Sequence, residues 1–365
     1  MDTTEAAPEA ARMPSPRQRA AQFCTRFGLR VPILQAPMAS ASPPGLAAAV
    51  ANAGGMGGMG ALQSEPDAIL AWAAAFRAAS NGAFQVNLWV PDPPPIRDSA
   101  REEAARAALA HLGPEPAPPG GGPFLPDFPA QQSALLAARP TVVSTIMGLW
   151  DPDFVAELKA RGILWICNAT TLAEARAAEA AGADAVVAQG AEAGGHRGSF
   201  TPEAAEAQLI GLFALIPRLA DALSVPVIAA GGIMDGRGLA AALNLGASAV
   251  QLGTAFLRCP EAGLPIAHAD ALATAAPEDT VLTRGFSGRL ARSIANDATR
   301  LFEKVKAAPY PLQRVLSAPM RATAVAEGDA SRMQLWAGQG AAMARAEPAA
   351  EVVRRIWTDA EALLA

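Results

Sequence analysis

Cysteine is nearly absent from this chain. The three present, Cys24, Cys167 and Cys259, are odd in number, far apart and without a CxxC pair. That excludes a disulfide framework and points to a reducing, cytoplasmic setting. Histidine is equally scarce: no two of His111, His196 and His268 stand at a metal-ligand spacing, so no metal is expected. Charged residues make up only 17%, and 29 Lys+Arg against 34 Asp+Glu leave a formal net charge of −5. With no basic stripe and no reader motif, nucleic acid is not an expected partner. No run of about 18 uninterrupted strongly apolar residues occurs, so no membrane span is expected. Residues 1–20 lack the apolar stretch of a secretory signal and read as a loose extension. Dinucleotide, P-loop and serine-nucleophile signatures are missing in any fitting setting, which disfavours those enzyme classes.

What the chain has in quantity is alanine, 32 glycines and 31 prolines among 51% hydrophobic residues. Short apolar runs recur, each followed by a Gly-, Pro- or Asn-rich turn and an Ala-rich stretch with helical spacing. Eight such runs occur: 31–36, 55–60, 83–88, 141–145, 163–167, 185–189, 225–230 and 249–253. Helices at 172–181 and 239–245 stop at Gly182 and Gly246, which makes the phrases AGADAVV and LGASAVQ one structural repeat. The fold class expected is α/β, a TIM-like (β/α)8 barrel with a smaller helical second domain. The barrel spans 21–259 and carries a Pro/Gly-rich surface excursion at about 91–130, which includes a short charged helix at 97–112. Residues 260–330 read as a helical substrate or lid domain, and 331–365 as C-terminal helices packing on the barrel through Val352, Val353, Ile356 and Leu363.

In such barrels the strand ends form the working face. The seventh run is followed by Gly231 and Gly232, and the eighth passes through Gln251 and Leu252 to Gly253 and Thr254. Glycines at these two ends let backbone N–H groups approach an anion, and loops seven and eight are a frequent phosphate site; plain tight turns are the alternative. After the sixth run, Gln189 opens a glycine-dense loop that contains Gly194, Gly195 and His196. Ordering so many glycines is easier to rationalise if the backbone wraps a ligand and presents one side chain, His196, as a base or electrostatic group. His111 and His268 read as surface residues. The first run ends in Ala36-Pro37-Met38 and the third carries Asn87; with Gln189 they could back and hydrogen-bond a flat ring system, or simply fill core and tie loops.

The motifs QAPM (35–38), the glycine run 54–60, QVN (85–87), QGAEAGGHRG (189–198), AAGGI (229–233), QLGTAF (251–256), PYPLQ (309–313) and LWAGQG (335–340) together resemble the nitronate monooxygenase family, class I. The resemblance covers nearly the whole chain. It implies non-covalent FMN and oxidation of alkyl nitronates, such as propionate 3-nitronate, by O2 to a carbonyl compound and nitrite, and it is compatible with a homodimer. It further implies that Met38, Asn87, Gln189 and Gly194 lie against the flavin and that Gly231, Gly232, Gly253 and Thr254 hold its phosphate. His196 would stand over the ring beside Met38, with Tyr310 and Gln313 closing the substrate pocket. The chain departs from the family pattern at Ser40, where glycine is common, and at Ile146-Met147, which would make the pocket more apolar. FMN-dependent NAD(P)H reductases acting on enoyl-acyl-carrier-protein or quinone share an EAGGH-type loop and are the alternative. A flavin-free phosphate-handling barrel and a flavin carrier without turnover are more distant readings.

Overall fold

The structure is a computed structural model describing residues 14–116, 118 and 122–364. Strands β1 (Ile33–Gln35), β2 (Gly57–Gly60), β3 (Phe84–Trp89), β4 (Val142–Ile146), β5 (Leu164–Ala169) and β6 (Ala185–Gln189) follow the expected runs. A two-residue strand outside the barrel, β7 (Gly195–His196), precedes β8 (Val227–Ala230) and β9 (Ala249–Leu252). The barrel strands are parallel in the order β1-β9-β8-β6-β5-β4-β3-β2. The ring closes where Leu34 bridges Met56, with Gln35 N donating to Met56 O at 2.8 Å and Met56 N to Ile33 O at 3.0 Å.

Alternation along the strands divides the core. Leu34, Val142, Ile166, Val187 and Ile228 point inward and meet Phe23 and Phe27 of the helix Pro16–Phe27, which closes one mouth of the barrel. Residues of the opposite parity pack under the outer helices. That first helix changes the reading of the N-terminus: residues 1–13 lie outside the described residues, but Ser15 and Gln18 form a reciprocal capping box and the chain is helical from Pro16. The repeat glycines Gly182 and Gly246 take φ of 96° and 113°, a region that L side chains avoid, so each ends its helix and turns into the next strand.

The second lobe differs from the purely helical domain expected. It carries an antiparallel hairpin, β10 (Thr280–Thr283) and β11 (Ala291–Ile294), and β11 pairs with β7 through Ala291–His196 and Arg292–Gly195. The excursion after β3 is also more than a surface feature. Ala105 and Leu109 of the helix Ser99–Ala110 are buried with Phe286, Leu312, Leu316 and Met320 of the second lobe. Arg289 donates to Asp92 through Nε at 2.8 Å and ties the Pro-rich stretch to the same lobe. At the C-terminus only Ala349–Leu363 is one long helix; 331–348 is an irregular segment with a single short turn of helix. Among the described residues no helix is long and apolar enough to cross a membrane.

Candidate active site

A cavity of about 980 Å³ opens at the carboxyl ends of the barrel strands and is roofed by the second lobe. Its size lies at the top of the range of small-molecule sites, enough for a cofactor and a substrate together. Ala36, Pro37, Met38, Asn87, Gln189, Gly194, Gly195, His196, Gly231, Gly232, Gln251, Leu252, Gly253, Thr254 and Tyr310 all line it. Gln313 does not. Its amide is fully buried, accepting from Ala308 N at 2.8 Å and donating to Gly285 O at 2.6 Å, so it fixes the loop that carries Tyr310.

Several lining residues act differently from the expectation. Gln189 spends both ends of its amide on the histidine loop, donating to His196 O at 2.9 Å and accepting from Gly198 N at 2.7 Å. Gly194 is required by protein backbone: a Cβ there would lie 2.4 Å from Gly338 N and 2.5 Å from Ala337 C. Ser40 adopts φ of 70°, the left-handed conformation that explains why glycine suits the position. Ile146 faces the cavity, whereas Met147 is buried and accepts a contact from Arg289, so the added apolar surface comes from Ile146 alone. His268 is buried against the cavity with Nε2 unpartnered; burial lowers its pKa to about 4 against the opposing pull of the Trp336 backbone. His111 is exposed.

His196 sits on β7, held by the β11 pairing. Its Nε2 lies 2.8 Å from Ser287 Oγ, which itself donates to Arg289 O and accepts from Arg289 N, both at 3.3 Å. The Ser287 contact occupies Nε2 and leaves Nδ1 as the ring nitrogen without a protein partner among the described residues. Trp89 and Trp336 meet the imidazole edge-on at 4.7 and 5.2 Å, and Tyr310 stacks on Trp89 at 6.0 Å. Desolvation, reinforced by Arg289, Arg314 and Arg321, lowers the His196 pKa to about 3. At neutral pH it is an uncharged ring, able to accept a proton or orient a ligand but unable to serve as the counter-charge of an anion.

Trp89, Trp336, Ser287, Asn168, Arg314 and Arg321 also line the cavity, although the sequence alone did not single them out. Asn168 carries a usable signal, as a polar residue one position before the end of β5, in register with Val187 of β6. Its buried Nδ2 has no partner, and Gly198 leaves room for it, since a Cβ at Gly198 would lie 2.1 Å from that atom. Trp336 lies in the irregular 331–348 segment, where no periodicity marks it.

The site fits a flavin nucleotide. Gly231 and Gly232, at φ of 128° and 66°, leave the end of β8 bare, and Gly253 does the same after β9. Asn168 Nδ2 is a buried donor awaiting an acceptor. Among the described residues no Asp or Glu lines the cavity, so no carboxylate opposes a phosphate.

The family described as Nitronate monooxygenase matches residues 22–359. A nitronate monooxygenase of Paraburkholderia phytofirmans is 44% identical over 343 residues, covering 90% of this chain and 92% of that protein. One from Pseudomonas aeruginosa is 45% identical over 347 residues, covering 92% and 97%. Among solved structures, the nitroalkane oxidase of Streptomyces ansochromogenes superposes with a TM-score of 0.86 at 41% identity, covering 94% of this chain and all of that one.

Proposed function

This chain belongs to the nitronate monooxygenase family, and from that membership we propose that it oxidises alkyl nitronates with FMN and O2, giving a carbonyl compound and nitrite. The observation that carries the reading is a neutral histidine at a cavity that no carboxylate among the described residues lines, at the mouth of a barrel whose phosphate-side strand ends are bare glycine. FMN would supply the electron-accepting ring and the reaction with O2.

The residues of the chain then have defined tasks. Gly231, Gly232, Gly253 and Thr254 would receive the phosphate, while Met38, Asn87 and Asn168 would lie along the ring. His196, with Nε2 committed to Ser287, presents Nδ1 to the substrate. It orients a nitronate already carrying its negative charge, and it accepts the α-proton when a neutral nitroalkane is offered. Trp89, Trp336 and Tyr310 exclude water around the reacting carbon.

An anaerobic titration of the purified yellow protein with propionate 3-nitronate, and separately with NADH, tests this. Loss of the visible flavin band with the nitronate, and nitrite release on admitting air, is the expected result. Bleaching by NADH alone would reassign the enzyme as a reductase.

A further inference from the structure

Ser287 holds His196 at Nε2, and the backbone of Arg289 holds Ser287, in the turn between β10 and β11. The residues that follow extend the same grip, since Leu290 O accepts from Arg197 N and Ala291 pairs with His196. The Arg289 side chain anchors this turn. It is only 3% exposed, and its guanidinium is fully engaged: Nε donates to Asp92 Oδ2 at 2.8 Å, Nη2 to Asp92 Oδ1, and Nη1 to Ser199 O at 3.1 Å and Met147 Sδ at 2.6 Å. Asp92 alone in that set brings a negative charge.

Asp92 does not line the cavity. It follows closely on Trp89, the end of β3, and lies between Pro91 and Pro93 in a stretch without helix or strand. Proline fixes its own φ and restricts the residue before it, so Asp92 is confined on both sides and its carboxylate is pre-set for a two-pronged pair with the guanidinium. The nearby Arg97 is neutralised by Glu102 at 2.6 Å, which leaves Asp92 to Arg289.

Without the carboxylate, Arg289 becomes a desolvated cation with no counter-charge, and the turn must shift to hydrate it. Ser287 moves with the turn, and the imidazole rotates with Ser287. The freed charge acts in the same sense. After burial, Arg289 is the foremost of the cations that hold the His196 pKa down, ahead of Arg314 and Arg321, and no Asp or Glu among the described residues lines the cavity to offset them. Both effects weaken His196 as a proton acceptor, and both bear less on a substrate that arrives already deprotonated.

We propose that Asp92, from outside the cavity, is a positioning residue for the reaction: acting through Arg289 and Ser287, it fixes the direction in which His196 presents its free ring nitrogen. The assignment rests on the nitronate-oxidising reading above, and a readout that needs no turnover lets the two fail separately.

The test uses FMN-loaded enzyme with nitroethane, which must lose a proton, and with ethyl nitronate, which has lost it. Asp92→Asn is expected to lower kcat for nitroethane by about 10- to 100-fold while kcat for the nitronate and both KM values change by less than about threefold. Asp92→Glu should recover part of the loss. In a Ser287→Ala background Asp92→Asn should cost less than about a further twofold, because the two act along one path. Enzyme labelled with 15N-histidine gives the second readout. The His196 ring resonances, identified by their loss in His196→Asn, should shift in both Asp92→Asn and Ser287→Ala, with those of His268 unmoved. If Asp92→Asn does not fold, the pair Asp92→Asn with Arg289→Gln leaves no unpaired cation and should show the same selective loss. Equal losses on both substrates, full additivity with Ser287→Ala, or an unmoved His196 signal would overturn the proposal. A shifted His196 signal in a protein that turns over neither substrate would sink the activity assignment and leave the positioning role standing.

Discussion

At the scale of single residues, His196 and its surroundings make the sharpest claims. A base or orienting group of this kind contributes about 10²–10⁴-fold, so His196→Asn should keep FMN and lose at least about 100-fold in kcat with nitroalkanes; normal turnover by that variant would refute the role. Because His196 stays neutral down to about 3, kcat/KM for a nitronate should show no histidine titration between about pH 5 and 8. The same depressed pKa values act on stability. His196 and His268 titrate near 6.5 when unfolded but only at about 3 and about 4 when folded. Above 6.5 neither state holds the proton and stability is unaffected; as the pH falls from there towards 4 the unfolded chain binds protons that the folded one refuses, and stability drops. The melting temperature should therefore decline on acidification below about pH 6.5, and His268→Gln should flatten that decline. The residues most plainly legible in the sequence were those at strand ends, where glycine or a lone histidine breaks an apolar run. Arg314 and Arg321 were not legible, since an arginine on an amphipathic helix reads as solvated until the fold shows that it lines the cavity.

At the scale of elements, the histidine loop is positioned from outside the barrel. β7 pairs with β11, Arg197 N donates to Leu290 O at 2.9 Å, and Arg292 Nε donates to Ala191 O at 2.9 Å. From the other side the 335–340 segment lies on Gly194, with Gln339 N donating to Glu192 O at 3.0 Å. Gly194→Ala should thus push two backbone segments apart, costing about 1–3 kcal/mol of stability and moving the histidine. Gly195→Ala meets nothing within 4 Å and carries only the strain of φ at 71°, about 1 kcal/mol. Thermal unfolding of the two variants should rank them in that order, and equal losses would contradict the proposed wedge. The eight barrel strands are legible because an apolar run, a turn and an Ala-rich helix repeat along the chain. The β10–β11 hairpin is not, because its partner β7 is only two residues long and comes from a distant loop. A run of four residues whose pairing is non-local carries no period of its own.

At the scale of the whole molecule, the second lobe cannot be separated from the barrel without losing a strand of its sheet and the helix Ser99–Ala110 from its core. The long C-terminal helix binds the structure in the same way: Val352, Val353 and Ile356 are almost wholly buried against the barrel's helices. Burying such side chains stabilises by roughly 1.5–3 kcal/mol each, on the order of 5–9 kcal/mol for the three. That is comparable with the entire net stability of an ordinary domain, about 5–15 kcal/mol. Two consequences follow. Truncation after Pro348 should leave no folded barrel rather than a barrel with a loosened end. In the intact protein, unfolding followed by far-ultraviolet circular dichroism, by tryptophan fluorescence and by flavin release should coincide in one transition, because Trp89 lies in the barrel and Trp336 in the roof, and both touch His196. A flavin-release transition well below the loss of secondary structure would show that the roof opens independently, and the borrowed β7 pairing would then be too weak to couple the lobes.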